Sequence, residues 1–583
     1  MMSTLQLLLI AFGLLACVTN NVNAATRQSK VQKPNIVIIL VDDMGINDVS
    51  FHGSNQILTP NIDALAYNGV ILNRLYVPNM CTPSRATLLT GKYPIHTGTQ
   101  HSVIINDQPW GLPLGERTMP EIFRDAGYST NLIGKWHLGF SKKAYTPTLR
   151  GFDNHVGYYS GYIDYYVHDM AMLEKNYSRG YDFRKNLDVH YEGQGLYATE
   201  YFTEEAIKVV KGHDKNQPLF LLMSHLAVHT GNEDNPMQAP PEEVAKFGHI
   251  SDPKRRTYAA MMSKLDESVG KLIGALGDRK MLDNTIVLFY SDNGAPTLGI
   301  HSNAGSNYPF RGQKQSPWEG GIRSAGAIWS PLIKKTKLVS HQLIHSIDWL
   351  PTLAAAAGIR LPPTIKIDGI NLWHSLIHND PPKPRSFIHV LDDIDGYVSY
   401  QRSNLKYVNG TEFMPKYGFW LGDIEQTPDP RLSQYSELVL ESQVSQALQN
   451  SKLSAIDIEA LRSEATYNCN THNISPSRLE SYTCDPALSP CLFDIERDPC
   501  EMYNIAAEHP FLVKDLEADV EYYRKGAVAA AWMPGDPKGN PAFYNNTWTW
   551  WQDRNSSSRP SPFLSHPMVN LTISFLLAVF SKL

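Results

Sequence analysis

Residues 34–43, "PNIVIILVDD", form a continuous run of β-branched and other apolar residues that stops at two carboxylates. A run of this kind is typical of a strand buried on both faces in the middle of a largely parallel sheet. Three further runs have the same form: residues 129–139 ("STNLIGKWHLG"), 218–230 ("PLFLLMSHLAVHT") and 284–294 ("NTIVLFYSDNG"). The four runs together predict the centre of one parallel sheet.

Helical patterns alternate with these strands. Residues 256–276 carry apolar side chains at helical spacing: Met262, Leu265, Val269, Leu272, Ile273 and Leu276. Alternating strands and helices predict an α/β fold. A chain of 583 residues with 42% apolar and 19% charged residues is a globular protein that is too long for one ordinary domain. We expect a large domain over residues 33–384 and a smaller α+β domain with an antiparallel sheet over residues 385–540.

Chemically capable side chains follow each of the four apolar runs: Asp42 and Asp43, Lys135 and His137, His229, and Asp292 and Asn293. In open α/β sheets, ligands bind beyond the carboxyl ends of the strands. A single Asp after a strand is explained as a helix cap or a turn residue. Four such clusters at one edge of a sheet instead predict a functional site.

One part of this cluster offers only oxygen atoms. The carboxylates of Asp42, Asp43 and Asp292 and the amide of Asn293 are hard ligands, which select Ca²⁺ or Mg²⁺ rather than zinc. Helix capping by Asp-Asp and a turn at Asp-Asn-Gly are the alternative interpretations. Because the four residues follow two separate strands, we favour the metal site.

The second part of the cluster is cationic. Arg85, Lys135 and Lys314, with His137 and His229 as further candidates, predict an anionic substrate whose charge is spread in the transition state. Taken singly, Lys314 could be a solvated loop lysine and His229 a satisfied core histidine. The net charge of −6 does not indicate a basic surface that could bind nucleic acid, so no nucleic-acid partner is expected.

The chain has six cysteines, which can form disulfides in an oxidising compartment. Four of them cluster near the C-terminus: Cys469, Cys484, Cys491 and Cys500. They allow three disulfide connectivities. We predict Cys469–Cys484 and Cys491–Cys500, because short local loops need the least assumption. Cys17 lies in the N-terminal apolar run, which leaves Cys81 as the unpaired cysteine of the mature chain and a candidate reactive residue.

The two ends of the sequence indicate export. Residues 1–24 have the apolar run and the small residues of a secretory signal, Val22 and Ala24. Candidate glycosylation sites occur at Asn176, Asn409, Asn473, Asn545 and Asn555. The tail, residues 541–583, ends in a polar spacer and a short apolar segment, the layout of a glycolipid-anchor signal. A frayed or core-docked C-terminal segment is the alternative.

The segment around Cys81 carries a family resemblance. "CTPSRATLLTGKYPIHTG" (81–98) resembles the signature of the sulfatases, in which the cysteine of Cys-x-Pro-Ser-Arg is oxidised to formylglycine. "GKWHLG" (134–139) resembles their second signature. "VDDMGINDVSFHG" (41–53), "SDNG" (291–294) and "RGQKQSPWEGGIR" (311–323) resemble the arylsulfatase B branch, the N-acetylgalactosamine-4-sulfatase type. The resemblance runs from about residue 35 to residue 371 and more weakly to residue 506.

The resemblance implies an alkaline-phosphatase-like fold, with a large, mixed and mostly parallel sheet between helices. It assigns Ca²⁺ binding to Asp42, Asp43, Asp292 and Asn293, with formylglycine at position 81 as a further ligand. It also assigns the sulfate chemistry: Arg85 and Lys135 hold the modified side chain, His137 is the base that regenerates the aldehyde, and His229 and Lys314 contact the sulfate and assist the leaving oxygen.

The implied reaction explains the modification. One hydroxyl of the hydrated aldehyde attacks sulfur and the alcohol leaves, and the second hydroxyl then allows sulfate to be expelled, which a serine could not do. The implied substrate is a sulfated sugar, by preference N-acetylgalactosamine 4-sulfate of dermatan or chondroitin sulfate. A formylglycine-generating enzyme is the implied partner during synthesis, and the lysosome or the cell exterior is the implied location. Cysteines typical of the arylsulfatase B branch are missing from residues 101–116 and 141–155.

Three other functions remain open from the sequence. The first is a phosphate-ester or phosphonate hydrolase of the same superfamily, whose members often carry Ser or Thr at the position of Cys81. The second is a cysteine hydrolase with a Cys81 thiolate and His137 as base. The third is a non-catalytic glycan-binding surface protein. Trp318 could either stack against a sugar ring or pack in the core.

Overall fold

The structure is a computed structural model, which describes residues 32–172, 178–381, 383–410, 415–421, 427–448, 452–467, 469 and 484–554. The predicted signal and most of the predicted anchor segment lie outside these residues, as do the candidate glycosylation sites Asn176, Asn473 and Asn555. No helix within the described ranges is long and apolar enough to cross a membrane.

The strands form one large sheet, one smaller sheet and two short pairs. In chain order they are β1 (Asn35–Val41), β2 (Val70–Leu72), β3 (Leu75–Tyr76), β4 (Ser129–Lys135), β5 (Asn154–Tyr158), β6 (Asp169–Met172), β7 (Ser178–Tyr181), β8 (Arg184–Lys185), β9 (Asp188–Val189), β10 (Leu219–Ser224), β11 (Thr285–Ser291), β12 (Gly326–Trp329), β13 (Leu338–Ser340), β14 (Ile344–His345), β15 (Ser386–Asp392), β16 (Tyr397–Arg402), β17 (Leu405–Gly410) and β18 (Cys491–Asp494).

Several α-helices pack against the large sheet, and Pro510–Gly526 packs against the smaller one. The α-helices span Pro60–Asn68, Cys81–Thr90, Pro94–Thr97, Met119–Asp125, Ala198–Gly212, Pro241–Ala245, Pro253–Asp278, Glu319–Ile322, Trp349–Ala356, Trp373–His378, Tyr435–Glu441, Gln443–Ala447, Ala455–Ala465 and Pro510–Gly526.

The four apolar runs form the centre of the large sheet, as predicted. Its strand order is β13-β2-β12-β11-β1-β10-β4-β5-β8-β9, and β11, β1, β10, β4 and β5 run parallel. β12 runs antiparallel to β11, and β8 runs antiparallel to β5, so the sheet is mixed. Every residue of β10 and β11 is buried, which explains why these strands are continuously apolar.

The predicted helix over residues 256–276 is part of the longer helix Pro253–Asp278. Its apolar positions are buried, and the Asp252 side chain caps its start by accepting from the backbone N–H groups of Lys254 and Arg255. This helix packs against Ala198–Gly212 on one face of the sheet. The α/β prediction is therefore confirmed.

The smaller sheet is antiparallel, in the order β15-β16-β17-β18, which confirms the predicted C-terminal unit. The helix Pro510–Gly526 covers it by packing Val513, Leu516 and Val520 against Tyr400 and other apolar residues of the sheet. The chain between β17 and β18 also contacts the large unit: the Tyr435 hydroxyl donates to the Asp63 carboxylate at 3.0 Å. The limits at residues 384, 385 and 540 stay predictions.

The predicted disulfide pairing is wrong. The structure pairs Cys469 with Cys500 and Cys484 with Cys491, at Cα–Cα separations of 6.1 and 5.9 Å. The turn before β18 brings Cys484 beside Cys491, only 7 residues along the chain, and this loop is shorter than either predicted one. Cys81 is the free cysteine of the described chain, as predicted.

A buried ion-pair network joins the two units. The Lys406 ammonium on β17 lies 3.0 Å from a Glu319 oxygen and 2.7 Å from a Glu501 oxygen, and all three side chains are fully buried. The Arg323 guanidinium pairs with the other Glu319 oxygen at 3.0 Å. Since Glu319 follows Lys314 by five positions, the network anchors the segment that carries one predicted site residue.

We predict that Lys406→Ala lowers the free energy of unfolding by about 3–5 kcal/mol, because it leaves Glu501 buried without its cation and Glu319 with Arg323 alone. Equilibrium denaturation in urea measures the change. Lys514→Ala, which removes an exposed lysine of the helix Pro510–Gly526, is the matched control and should change stability by less than about 0.5 kcal/mol. Equal effects of the two substitutions would contradict the structural role given to Lys406.

Candidate active site

The predicted site residues meet at the carboxyl edge of the large sheet. The register pairs Val41 with Ser291, so Asp42 and Asp292 leave neighbouring strands side by side. The Asp292 N–H donates to the Val41 carbonyl at 2.9 Å, which continues the ladder one step beyond the strands. Both carboxylates are fully buried. The parallel arrangement thus concentrates charge where the backbone pairing stops.

Cys81 lies at the start of the buried helix Cys81–Thr90. Pro83 falls in the first turn, where its missing N–H costs no helical hydrogen bond. The Thr82 hydroxyl donates to the His137 carbonyl at 3.0 Å, which joins this helix to the segment after β4. The Cys81 Sγ lies 3.5 Å from Asp42 Oδ1. The helix therefore holds Cys81 against the carboxylate cluster.

Arg85 lies one turn further along the same helix and spans the site. Its Nε and one terminal nitrogen donate to Asp292 Oδ2 at 3.1 and 2.8 Å. Its other terminal nitrogen donates to the Ser224 hydroxyl at 2.6 Å and to the Lys135 carbonyl at 3.3 Å. A planar guanidinium can serve all these acceptors at once, whereas an ammonium cannot. Ser224, the last residue of β10, is a site residue that the sequence reasoning missed.

Both predicted lysines contact the carboxylates. Lys135 Nζ lies 2.5 Å from Asp42 Oδ2, and Lys314 Nζ lies 2.6 and 2.8 Å from the two Asp43 oxygens. Lys314 is buried, so it is not a solvated loop lysine. His229 donates from Nδ1 to the Thr230 carbonyl at 2.7 Å and places Nε2 3.4 Å from Asp43. The structure thus brings four of the predicted cationic residues into one cluster with the carboxylates: Arg85, Lys135, Lys314 and His229.

His137 has a different environment from the other cationic candidates. Its Nε2 donates to the Ile104 carbonyl at 3.0 Å, and its buried Nδ1 has no partner among the described residues. Burial lowers the pKa of His137 well below its usual value, and the charges of Lys135 and Arg85 lower it further. The ring is therefore neutral, with a lone pair at Nδ1 that can accept a proton.

The carboxylates are crowded. Burial raises the pKa of Asp292 to about 7, and the neighbouring Asp42 charge acts in the same direction. Burial also raises the pKa of Asp42, but Lys135, His229 and Arg85 together outweigh it and hold the pKa well below its usual range. At Asp292, burial and the Asp42 charge thus outweigh the effect of the Arg85 guanidinium on the pKa.

This donor set fits a hard cation. Asn293 Nδ2 donates to Asp43 Oδ1 at 2.6 Å, and its buried Oδ1 has no partner among the described residues. Such an orphaned oxygen beside several carboxylates is what a Ca²⁺ or Mg²⁺ ion would satisfy. One group of side chains offers ligand atoms within 4.8 Å of one another: Asp42, Asp43, Cys81 and His229. His229 was not predicted as a metal ligand. Asp292, which was predicted as one, is not in this group, and one of its oxygens accepts hydrogen bonds from Arg85.

Trp318 packs in the core. Its side chain is fully buried, and the Arg311 guanidinium lies 3.4 Å from its ring centroid. Phe493 packs edge-on against the same ring at 5.8 Å. No face of the indole is left for a sugar, so the stacking alternative is wrong.

Comparisons with known proteins decide the family. The sulfatase family matches residues 34–359, more than half of the chain. Arylsulfatase J of Mus musculus is 35% identical over 532 residues, which cover 90% of this chain and 82% of that protein. The chain belongs to the sulfatase family. It is therefore a sulfuric ester hydrolase, and the non-catalytic alternative is wrong.

One further relative and one solved structure are also similar to this chain. N-acetylgalactosamine-6-sulfatase of Homo sapiens is 31% identical over 357 residues, covering 59% of this chain and 66% of that protein. The protein chain in the crystal structure of Ps i-CgsB in complex with k-i-k-neocarrahexaose is 25% identical in sequence to this chain. The match covers 88% of this chain and 98% of the Ps i-CgsB chain, with a TM-score of 0.67. The predicted alkaline-phosphatase-like sulfatase fold is confirmed.

The geometry also argues against a thiolate enzyme. Burial raises the pKa of the Cys81 thiol to about 12, which leaves almost no thiolate at neutral pH. The Cys81 contact is with a carboxylate rather than with an imidazole nitrogen. A cysteine hydrolase needs the opposite environment.

We predict that Arg85→Lys lowers kcat of this sulfatase by about 10²-fold, because an ammonium cannot hold Asp292 and Ser224 together. Steady-state assay of an aryl sulfate measures the loss, and circular dichroism checks the fold. Arg117→Lys, at an arginine that pairs with Asp125 on the surface, is the control and should leave kcat within about 2-fold. Full activity of Arg85→Lys would contradict this prediction, because it would show that the planar guanidinium with its several donors is not needed.

Proposed function

We propose that this sulfatase cleaves sulfate from a sulfated sugar, with a hydroxyl of the hydrated formylglycine made from Cys81 as the nucleophile and Ca²⁺ as the metal. The observation that carries the proposal is the position of Cys81. It is the free cysteine of the described chain, and it lies at a helix start against Asp42, inside a cluster of cations and carboxylates. That position suits a modified side chain that must meet both a metal and an anion.

The cations account for an anionic substrate. Lys314 and His229 lie on the same side of the carboxylate cluster, since both contact Asp43. In this proposal they contact the sulfate group; the Lys314 ammonium favours the negative charge that develops on the leaving oxygen, and His229 assists when Nε2 carries a proton. Arg85 and Lys135 lie on the Asp42 side and hold the modified residue 81 in place.

The proposed metal ligands are Asp42, Asp43, Asp292 and Asn293, with the oxidised side chain at position 81. When bound, Ca²⁺ would lower the pKa of the attacking hydroxyl and neutralise sulfate oxygens. The flexible oxygen shell of Ca²⁺ suits three carboxylates and an amide better than the strict octahedron of Mg²⁺.

His137 is the proposed base. Its hydrogen bond to the Ile104 carbonyl fixes the proton on Nε2 and leaves Nδ1 free to accept. The Thr82 contact to the His137 carbonyl places this residue beside the nucleophile helix. In the proposed reaction His137 takes the proton from the second hydroxyl of residue 81, which lets sulfate leave.

The sugar in this proposal is N-acetylgalactosamine 4-sulfate of dermatan or chondroitin sulfate. The arylsulfatase B resemblance of the residues around Asp42 and Lys314 supports the 4-position. The human relative whose name contains N-acetylgalactosamine supports the sugar, although its name gives the 6-position.

The proposed location is the secretory pathway, with the lysosome or the cell surface as the end point. The two disulfides of the described chain support an oxidising compartment. Asn545 is exposed and Asn409 is half-buried, so both remain candidate glycosylation sites. Modification by a formylglycine-generating enzyme during synthesis and attachment through a C-terminal lipid anchor belong to the same proposal.

The reaction class is tested by rates on matched aryl sulfate and aryl phosphate esters. A site built for a singly charged ester should give a kcat/KM at least about 10²-fold higher for the sulfate, since the doubly charged phosphate places unmatched charge in a buried site. Cys81→Ala is the negative control. Faster cleavage of the phosphate would overturn the reaction class. Faster cleavage of a 6-sulfated than of a 4-sulfated disaccharide would overturn the sugar position alone.

The metal is tested by stripping the protein with a chelator and assaying after adding back single ions. We predict loss of turnover and recovery with Ca²⁺ above that with Mg²⁺. Asn293→Ala should bind Ca²⁺ at least about 10-fold more weakly in calorimetry, because it removes one oxygen ligand. Asn216→Ala, in an exposed turn, is the control. Full turnover by the exhaustively stripped enzyme would contradict the metal assignment.

A further inference from the structure

A loop between Asp292 and Lys314 is tied to the carboxylate cluster. Asn303 Nδ2 donates to the Asp43 carbonyl at 2.9 Å and to the Val228 carbonyl at 3.0 Å. Asn303 is fully buried, and its oxygen accepts from the Gly305 N–H at 2.9 Å. The loop therefore has a fixed position relative to Asp43 on one side and to the His229 segment on the other.

This anchored loop places His301 beside two other rings. The centroids of His301 and His229 are 5.3 Å apart, and those of His301 and Tyr162 are 4.7 Å apart. Tyr162 stacks nearly parallel to His229, at 5.4 Å and 12°. The Tyr162 hydroxyl donates to the Ala171 carbonyl, and this hydrogen bond fixes the position of the ring. The three rings form one continuous wall next to the proposed sulfate contact.

Of the three rings, His301 is the one that reaches solvent. Tyr162 and His229 are buried, whereas His301 is partly exposed and follows the exposed residues Leu298 and Ile300. His301 Nδ1 lies 3.3 Å from the Thr230 hydroxyl, and His301 Nε2 has no hydrogen-bond partner among the described residues. One ring nitrogen of the partly exposed His301 is thus left without a partner in the described chain.

We propose that His301 Nε2 hydrogen-bonds the sugar ring that carries the sulfate, and so selects a sulfated sugar over a simple aryl sulfate; this rests on the proposed function. If Lys314 and His229 hold the sulfate, the ester oxygen and the sugar must extend from them toward solvent, because Asp43 and the sheet close the other side. His301 is the neighbour of His229 on that open side. A sugar hydroxyl or amide can bond to its free nitrogen, whereas an unsubstituted aryl group cannot.

The expected effect is selective. Since the bond is made to a part of the substrate that does not react, its loss should raise KM for a sulfated disaccharide about 10-fold with kcat nearly unchanged. Turnover of an aryl sulfate should stay within about 2-fold of the unmutated enzyme, because that substrate does not make the bond.

Three substitutions separate sugar contact from support of His229. His301→Ala removes both ring nitrogens, His301→Asn keeps a polar group near the Nδ1 position, and His301→Gln keeps one near the Nε2 position. We expect Ala and Asn to raise KM for the disaccharide, and Gln to restore most of the affinity. Leu298→Ala, at an exposed position of the same loop, is the control and should leave both substrates unaffected.

The outcomes are distinguishable. An equal fall of kcat on both substrates in all three variants would overturn the inference, because it would mean that His301 only supports His229. Unchanged disaccharide KM in His301→Ala, with thermal unfolding unchanged, would overturn it as well. Absence of turnover of both the sulfated disaccharide and the aryl sulfate in the unmutated, modified enzyme would instead overturn the proposed function, and these two rates are measured first.

Discussion

Three carboxylates buried side by side impose the constraint on which the rest of the site depends. Removing a carboxylate from water is costly unless its charge is compensated within the protein. Arg85, Lys135 and Lys314 supply three positive charges to Asp42, Asp43 and Asp292, so the chain alone nearly balances the cluster. A divalent ion would add two positive charges, and a sulfate ester together with an ionised hydroxyl would bring two negative ones. With metal and substrate both bound the net charge of the site would therefore again be close to zero, whereas either one alone would leave it unbalanced.

The backbone explains how such a cluster can exist in a buried position. The parallel register of β1 and β11 fixes Asp42 and Asp292 at the same height, so their approach is set by strand pairing rather than by attraction. The Arg85 guanidinium, on a separate helix, is held in turn by Ser224 at the end of β10. Charges that would repel one another in solution are thus held by elements that are stabilised by large apolar cores.

Much of the catalytic unit could be predicted from the sequence, for local reasons. The buried strands have continuous apolar runs, and in a parallel sheet their ends meet at one edge, so Asp42, Asp292, Lys135 and His229 could be placed together without a structure. The Cys81 motif is contiguous, and it identified the family that the comparisons confirmed.

The features that the sequence did not reveal depend on distant contacts. The disulfide between Cys469 and Cys500 joins residues 31 positions apart, and the burial of Trp318 follows from Arg311 and Phe493 closing over it. His301 lies beside His229 only because Asn303 ties its loop to two backbone carbonyls. No periodicity or motif encodes such a contact, because it depends on where a loop without regular structure is anchored.

The central claim is that residue 81 of the working enzyme carries an aldehyde, and the mass of one peptide tests it directly. Trypsin releases residues 75–85, with Cys81 inside, from protein made in cells that contain the modifying enzyme. The account predicts that this peptide has the mass expected when the thiol and one hydrogen are replaced by a carbonyl oxygen, and that it reacts with a hydrazide. A fully active preparation in which the peptide keeps an alkylatable cysteine would contradict the account.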